Sequence, residues 1–158
     1  MCQNTSTAEP SKTSDKLAIE QTPVSQLHIL VAEDNPVNQM VIKGMLKPLV
    51  GDIDIANNGK EAFYKYKNTS KPYDLIFMDC EMPEMDGYEA TTCIRKYELD
   101  SGIKETVKIV ALTAHAFEEF RDKAFAVGMN AHLTKPINRA TLANFFNNEF
   151  NHLDEAAS

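Results

Sequence analysis

Residues 73–87 read Tyr73-Asp74-Leu75-Ile76-Phe77-Met78-Asp79-Cys80-Glu81-Met82-Pro83-Glu84-Met85-Asp86-Gly87. The stretch Tyr73 to Met78 is a short, mostly apolar run, long enough for a buried strand and short for a helix. Asp79 ends it, and the loop to Gly87 is rich in breakers. Working outward, the run Leu27 to Ala32 also ends in acid, at Glu33-Asp34. The run Val107 to Leu112 ends at Thr113, and a short one, Ala131–Thr134, ends at Lys135-Pro136. A fifth strand candidate covers Asp52–Ala56. In an open parallel α/β sheet the carboxyl ends of the strands share one edge, and ligands bind there. An acid pair, a lone acid, a hydroxyl and an ammonium therefore converge from distant parts of the chain.

The segments between these strands read as helices. Asn35 suits an N-cap and Pro36 a first helical position. Val37, Met40, Val41, Gly44 and Met45 follow at i, i+3, i+4 spacing and read as that helix's apolar stripe. Gly59 precedes Ala62, Phe63 and Tyr66, and Gly87 opens a helix through about Glu98. Phe120, Ala124 and Val127 mark a fourth helix with Gly128 as its C-cap, and Leu142, Phe145, Phe146 and Phe150 mark a fifth. Five βα units imply right-handed crossovers and a doubly wound parallel sheet.

The chain has 158 residues, 43% of them hydrophobic, enough for one cored domain with an appendage. Residues 1–25, rich in Ser, Thr, Gln, Lys and Pro, read as a disordered linker, 26–150 as the domain and 151–158 as a tail. The little chain beyond the fifth helix leaves no room for an output module. A formal charge of −7 with no basic stripe argues against nucleic acid as a partner. No run approaches a membrane span and no apolar signal core is present, so direct membrane contact is not expected. Cys2, Cys80 and Cys93 form no ligand spacing, which suits unpaired thiols in a reducing cytosol.

The acids at the strand ends suit magnesium, which takes one or two carboxylates together with waters and phosphate oxygens. Glu33, Asp34 and Asp79 would supply carboxylates, and the loop after Asp79 one backbone carbonyl, with Glu81 the expected donor. The cation offsets repulsion among three close carboxylates. Asp79, ionised at neutral pH, can act as a nucleophile and form an aspartyl phosphate. Lys135 provides a point charge and Thr113 a hydroxyl for phosphate oxygens. Any one of these residues alone reads blandly, as a turn acid, a helix cap or a solvated lysine; their conjunction carries the reading.

The strings Ile29-Leu30-Val31-Ala32-Glu33-Asp34-Asn35-Pro36-Val37-Asn38-Gln39, Met78-Asp79-Cys80-Glu81-Met82-Pro83-Glu84-Met85-Asp86-Gly87, Ala111-Leu112-Thr113-Ala114-His115 and Leu133-Thr134-Lys135-Pro136-Ile137 closely resemble response-regulator receiver domains of two-component signalling. The resemblance covers roughly residues 26–150, and the wording is most like receivers attached to hybrid sensor histidine kinases. It implies a flavodoxin-like sheet of order 2-1-3-4-5, phosphorylation on Asp79 and a cis Lys135-Pro136 peptide. It also implies a phosphohistidine donor on a histidine kinase domain and exchange with a histidine-phosphotransfer domain, in a chain expected to be monomeric. The expected setting is cytoplasmic, with tethering through a parent hybrid kinase as an option. The linker-like start favours an excised portion of such a kinase over a free-standing protein. Thr113 and the residue three before the lysine would act as a switch. That second position, often Tyr or Phe in receivers, is His132 here, beside the plain reading of a half-buried histidine. His28, His115 and His152 fit no phosphoacceptor motif, and no Gly-rich ATP site accompanies them, so no complete kinase and no independent metabolic activity is expected.

A haloacid-dehalogenase-type phosphatase also uses a strand-end Asp nucleophile. Its Asp-x-Asp signature is absent here, where Asp79-Cys80-Glu81 stands. A flavodoxin-like cofactor binder would want a Ser/Thr/Gly-rich phosphate loop where Glu33-Asp34 stands. Glu81 and His115 are expected to border the route of a water attacking an aspartyl phosphate. Pro36, Met40, Val41, Glu81, Pro136 and Ile137 are expected to form the partner-docking patch around the strand-end edge.

Overall fold

The computed structural model describes residues 23–150. The N-terminal residues 1–22 and the tail 151–158, read from sequence as linker and tail, lie outside the described residues. The described residues take in three positions ahead of the expected boundary at residue 26. Val24–Gln26 form a short 3-10 turn, and the Val24 side chain is buried against the core.

Five strands follow: β1 (His28–Ala32), β2 (Asp52–Ala56), β3 (Leu75–Asp79), β4 (Lys108–Thr113) and β5 (Ala131–Thr134). They alternate with α1 (Pro36–Leu46), α2 (Gly59–Asn68), α3 (Gly87–Asp100), α4 (Glu118–Ala126) and α5 (Arg139–Glu149). All neighbouring strands pair in parallel, in the order β2-β1-β3-β4-β5. The flavodoxin-like order implied by the resemblance is therefore the observed one.

Local signals explain most of the element starts. Asn35, Asn58, Asp86 and Asn138 each cap a helix with a side-chain oxygen that accepts from a backbone N–H of the first turn. Alternation of side chains divides the core into two layers. Leu30, Ala32, Ile76, Met78, Ile109 and Ala111 face α2, α3 and α4, while Ile29, Val31, Leu75, Phe77, Val110 and Leu112 face α1 and α5. Both faces are covered, so the central strands read as continuous apolar runs.

Several expected boundaries shift. The third strand begins at Leu75 instead of Tyr73, because Asp74 closes the entry: its N–H donates to the His28 carbonyl at 2.8 Å and its Oδ2 accepts from the His28 N–H at 2.8 Å. At its other end the strand includes Asp79. The fourth strand likewise takes in Thr113, and the helix marked by Phe120 and Ala124 ends at Ala126, with Val127 as its C-cap. The helix α1 divides its apolar residues between two faces. Its core side is Ile42 and Leu46, with Met45 partly covered, whereas Val37, Met40 and Val41 are exposed, Met40 at 75%. This helix carries apolar residues on both faces, and the stripe read from spacing lies mainly on the outer one, which includes Met40 and Val41 of the expected docking patch.

Candidate phosphoacceptor and metal site

Register assembles the site. Ala32 pairs with Met78, Asp79 with Leu112, and Thr113 with Thr134. Glu33 therefore emerges level with Asp79, and Lys135 follows directly on the strand that pairs with Thr113. Two loop hydrogen bonds extend the ladders past the strands: Cys80 N–H to the Leu112 carbonyl at 2.9 Å and Lys135 N–H to the Thr113 carbonyl at 2.7 Å.

Asp79 is 3% exposed. Its Oδ2 lies 3.0 Å from Lys135 Nζ, and its Oδ1 accepts from the Glu81 N–H at 3.0 Å. Lys135 Nζ also reaches Glu33 Oε1 at 3.4 Å. Burial pushes the Lys135 pKa down, but the hydrogen bond and charge of Asp79, reinforced by Glu33, outweigh it and leave the net shift upward. The ammonium stays charged at neutral pH, and its contribution is lost only as pH rises past its elevated value. Glu33 is buried, with Oε2 accepting from the Asn35 N–H at 3.0 Å. Asp34 is exposed. Thr113 is buried at the end of β4, and its Oγ1 accepts from the His115 N–H at 3.1 Å.

Carboxylate oxygens of Glu33, Asp34 and Asp79 lie within 4.8 Å of one another. Three acids at such spacing, with one ammonium for three negative charges, fit a hard divalent cation with oxygen ligands. The occupancy of the oxygens sorts their roles. Both oxygens of Glu33 are engaged by Asn35 and Lys135, while Asp34 has its carboxylate at the surface. Asp34 therefore suits direct ligation and Glu33 suits charge and hydrogen bonding around the ion, while Asp79, whose oxygens meet Lys135 and the Glu81 N–H, completes the cluster.

The remaining expected residues surround this edge. Lys135-Pro136 is cis, as the resemblance implies. Glu81 and His115 meet across it, Oε2 to Nε2 at 2.7 Å, and the His115 ring stacks on Phe120 at 4.2 Å. His132 is half-buried on β5, and its Nε2 is buried with no hydrogen-bond partner among the described residues. Between α1 and the β5–α5 turn lies a cavity of about 360 Å³, lined by Val41, Ile42, Met45, Leu112, Pro136 and Ile137, with Glu33, Lys135 and Asn38 also in its wall. Pro36 and Met40 are exposed on the same helix, outside that lining, and the Glu81 side chain lies on the other side of the edge.

Two supporting residues carry no sequence signal of their role. Gly87 opens α3 where a Cβ would collide with the Asp79 carbonyl oxygen, so only glycine permits this close approach. Gln39 on α1 hydrogen-bonds to the backbone of Glu33. Both interactions come from the chain folding back beside the strand ends, which periodicity does not show.

The family model described as the response regulator receiver domain matches residues 29–147. A curated relative, probable histidine kinase 2 of Oryza sativa subsp. indica, is 41% identical over 132 residues, which cover 76% of this chain and 12% of the relative. The chain thus spans about an eighth of that relative's length. Among solved structures, the co-crystal of the Saccharomyces cerevisiae phosphotransfer protein Ypd1 with the receiver domain of Ssk1 gives a TM-score of 0.73 at 32% identity, covering 81% of this chain and 91% of that one. The receiver domain of the sensor histidine kinase PA1611 from Pseudomonas aeruginosa, with magnesium in its active-site cleft, gives 0.66 at 38% identity, covering 78% and 97%.

Proposed function

This chain belongs to the response regulator receiver domain family, and from that membership we propose that it accepts a phosphoryl group on Asp79 from a phosphohistidine and exchanges it with a histidine-phosphotransfer domain. The observation that carries the reading is the placement of Lys135 Nζ 3.0 Å from Asp79 Oδ2 inside a cluster of three carboxylates at one sheet edge. The magnesium described in a related receiver's cleft supports the same ion here.

Asp34, Asp79 and the Glu81 carbonyl would hold magnesium, with Glu33 contributing charge. When bound, the ion would supply the positive charge that offsets the phosphoryl oxygens. An Asp79 oxygen attacks the phosphorus in line. A P–O bond forms, the P–N bond breaks, and its electron pair returns to the donor imidazole. Lys135 turns from the Asp79 carboxylate to a phosphoryl oxygen, and the Thr113 hydroxyl donates to another. No general base is required, because a carboxylate nucleophile has no proton to give up as the bond forms. The family assignment leaves the phosphatase reading without support.

The α1 strip and the cavity beside it suit a helical partner. Val37, Met40 and Val41 are exposed, and the cavity walls include Val41, Pro136 and Ile137. An apolar centre with a polar rim is the usual anatomy of such a contact. The Ypd1 co-crystal with a related receiver supports a phosphotransfer bundle as the occupant. Within a parent hybrid histidine kinase the unit would work on the cytoplasmic side. Among the described residues no helix is long and apolar enough to cross a membrane. His132, with its unpartnered Nε2, and Thr113 are the proposed switch pair.

Incubation with acetyl phosphate and Mg2+ tests the function. A single acid-stable, base-labile phosphoryl adduct is expected, and chelation with EDTA should abolish it. Labelling that is indifferent to EDTA would remove the metal-assisted reading.

A further inference from the structure

Asp34 makes no side-chain hydrogen bond among the described residues, so the direction of its carboxylate depends on the backbone of the Glu33–Asn35 turn. That turn is pinned from several sides. The Glu33 N–H donates to the Ala56 carbonyl at 3.0 Å, continuing the sheet. Asn35 caps α1 through Val37 N–H at 2.8 Å and Asn38 N–H at 3.3 Å. The remaining freedom is rotation of the Glu33–Asp34 peptide. The side chain of Gln39 removes it: Nε2 lies 2.6 Å from the Glu33 carbonyl oxygen and 2.8 Å from Asn57 Oδ1. Two acceptors face one nitrogen, so an –NH2 group with its two hydrogens is the chemistry required there. Asn57 is itself held, its backbone N–H and its Nδ2 both donating to Glu61 Oε1 at the start of α2, the latter at 3.0 Å. A chain of hydrogen bonds thus runs from α2 through Asn57 and Gln39 to the acid turn.

We propose that Gln39 is a positioning residue for the cation site: its amide locks the Glu33–Asp34 peptide in the orientation that presents both carboxylates to a divalent ion. The proposal rests on the receiver reading above and adds a residue that touches neither metal nor phosphate. Residues that orient ligands from outside the coordination shell commonly carry about 10- to 100-fold in metal affinity.

The test uses the full chain and Mg2+ alone. Gln39→Met preserves length and apolar stem but cannot donate. It should bind Mg2+ about 10-fold more weakly by calorimetric titration. In the metal-free protein, amide hydrogen exchange at Asp34 and Asn35 should quicken, while exchange in β3 stays at the wild-type rate. Asn57→Ala should weaken Mg2+ binding in the same direction but less. The Gln39→Met/Asn57→Ala double variant should bind no more weakly than Gln39→Met, since both act through one tether. Wild-type Mg2+ affinity in folded Gln39→Met overturns the proposal. Should that variant not fold, wild-type affinity in Asn57→Ala overturns it. Wild type and Asp34→Ala run alongside: a wild-type chain that takes no Mg2+ refutes the receiver reading itself. A wild type that binds, an Asp34→Ala that does not, and an unchanged Gln39→Met refute only the role of Gln39.

Discussion

At the scale of single residues, the site works by dividing charge among acids whose surroundings differ. Glu33 is buried with both oxygens occupied, whereas Asp34 stands at the surface. Asp34→Ala should therefore reduce Mg2+ affinity more than Glu33→Gln, with the latter costing about 10-fold as an outer-shell change. Calorimetry on the two variants decides it, and the reverse ranking would reassign the direct ligand. Glu81 and His115 join side chains 2.7 Å apart, and their backbone N–H groups donate to Asp79 and Thr113. Glu81→Ala and His115→Ala should each change the half-life of the acyl phosphate severalfold while leaving Mg2+ affinity near wild type. Unchanged decay of the radiolabelled phosphoprotein in both variants would show them to be rim residues only. Asp79, Glu33-Asp34, Thr113 and Lys135 were legible because each ends an apolar run. The roles of Gln39 and Gly87 were not, since they come from how the chain folds back on the adjoining strand end, six and eight residues away, which periodicity does not show.

At the scale of elements, the cap of α1 and the bounds of two strands were legible, and other boundaries only approximately. Asn35-Pro36 marks the start of α1, and Ala131–Thr134 and Asp52–Ala56 match their strands. The helix α1 carries two apolar faces: Ile42 and Leu46 fill the core, and Val37, Met40 and Val41, part of the stripe read from spacing, remain outside. An exposed apolar strip of this kind marks an interaction site more readily than a packing error. Met40→Glu and Ile137→Glu should slow phosphoryl exchange with a phosphotransfer protein by about 10-fold or more, in keeping with loss of a central apolar contact. Labelling by acetyl phosphate, which needs no docking, should stay at the wild-type level. Wild-type exchange rates in both folded variants would move the docking face elsewhere, to the α4 side near His132.

At the scale of the whole molecule, topology makes the chemistry possible. Consecutive βα units bring the carboxyl ends of β1, β3, β4 and β5 to one edge, and the order β2-β1-β3-β4-β5 sets β1 and β4 on either side of β3. Asp79 is thus flanked by the acid pair on one side and the hydroxyl on the other, with the lysine arriving from the strand beyond. Both faces of the sheet are packed, with Phe77 buried against the Phe145 and Phe146 rings of α5, so the edge is held on a rigid base. The parallel sheet itself was legible from alternating apolar runs and helical stretches; the strand order came only with the family resemblance, because pairing order leaves no local trace in a sequence. The claim that Asp79 is the single phosphoacceptor is tested most directly by mass spectrometry of the wild type and of Asp79→Asn after treatment with acetyl phosphate and Mg2+. The wild type should carry one phosphoryl group on the peptide containing Asp79, and the folded Asp79→Asn variant none. A phosphoryl adduct that persists on folded Asp79→Asn, or that maps to another peptide in the wild type, would contradict it.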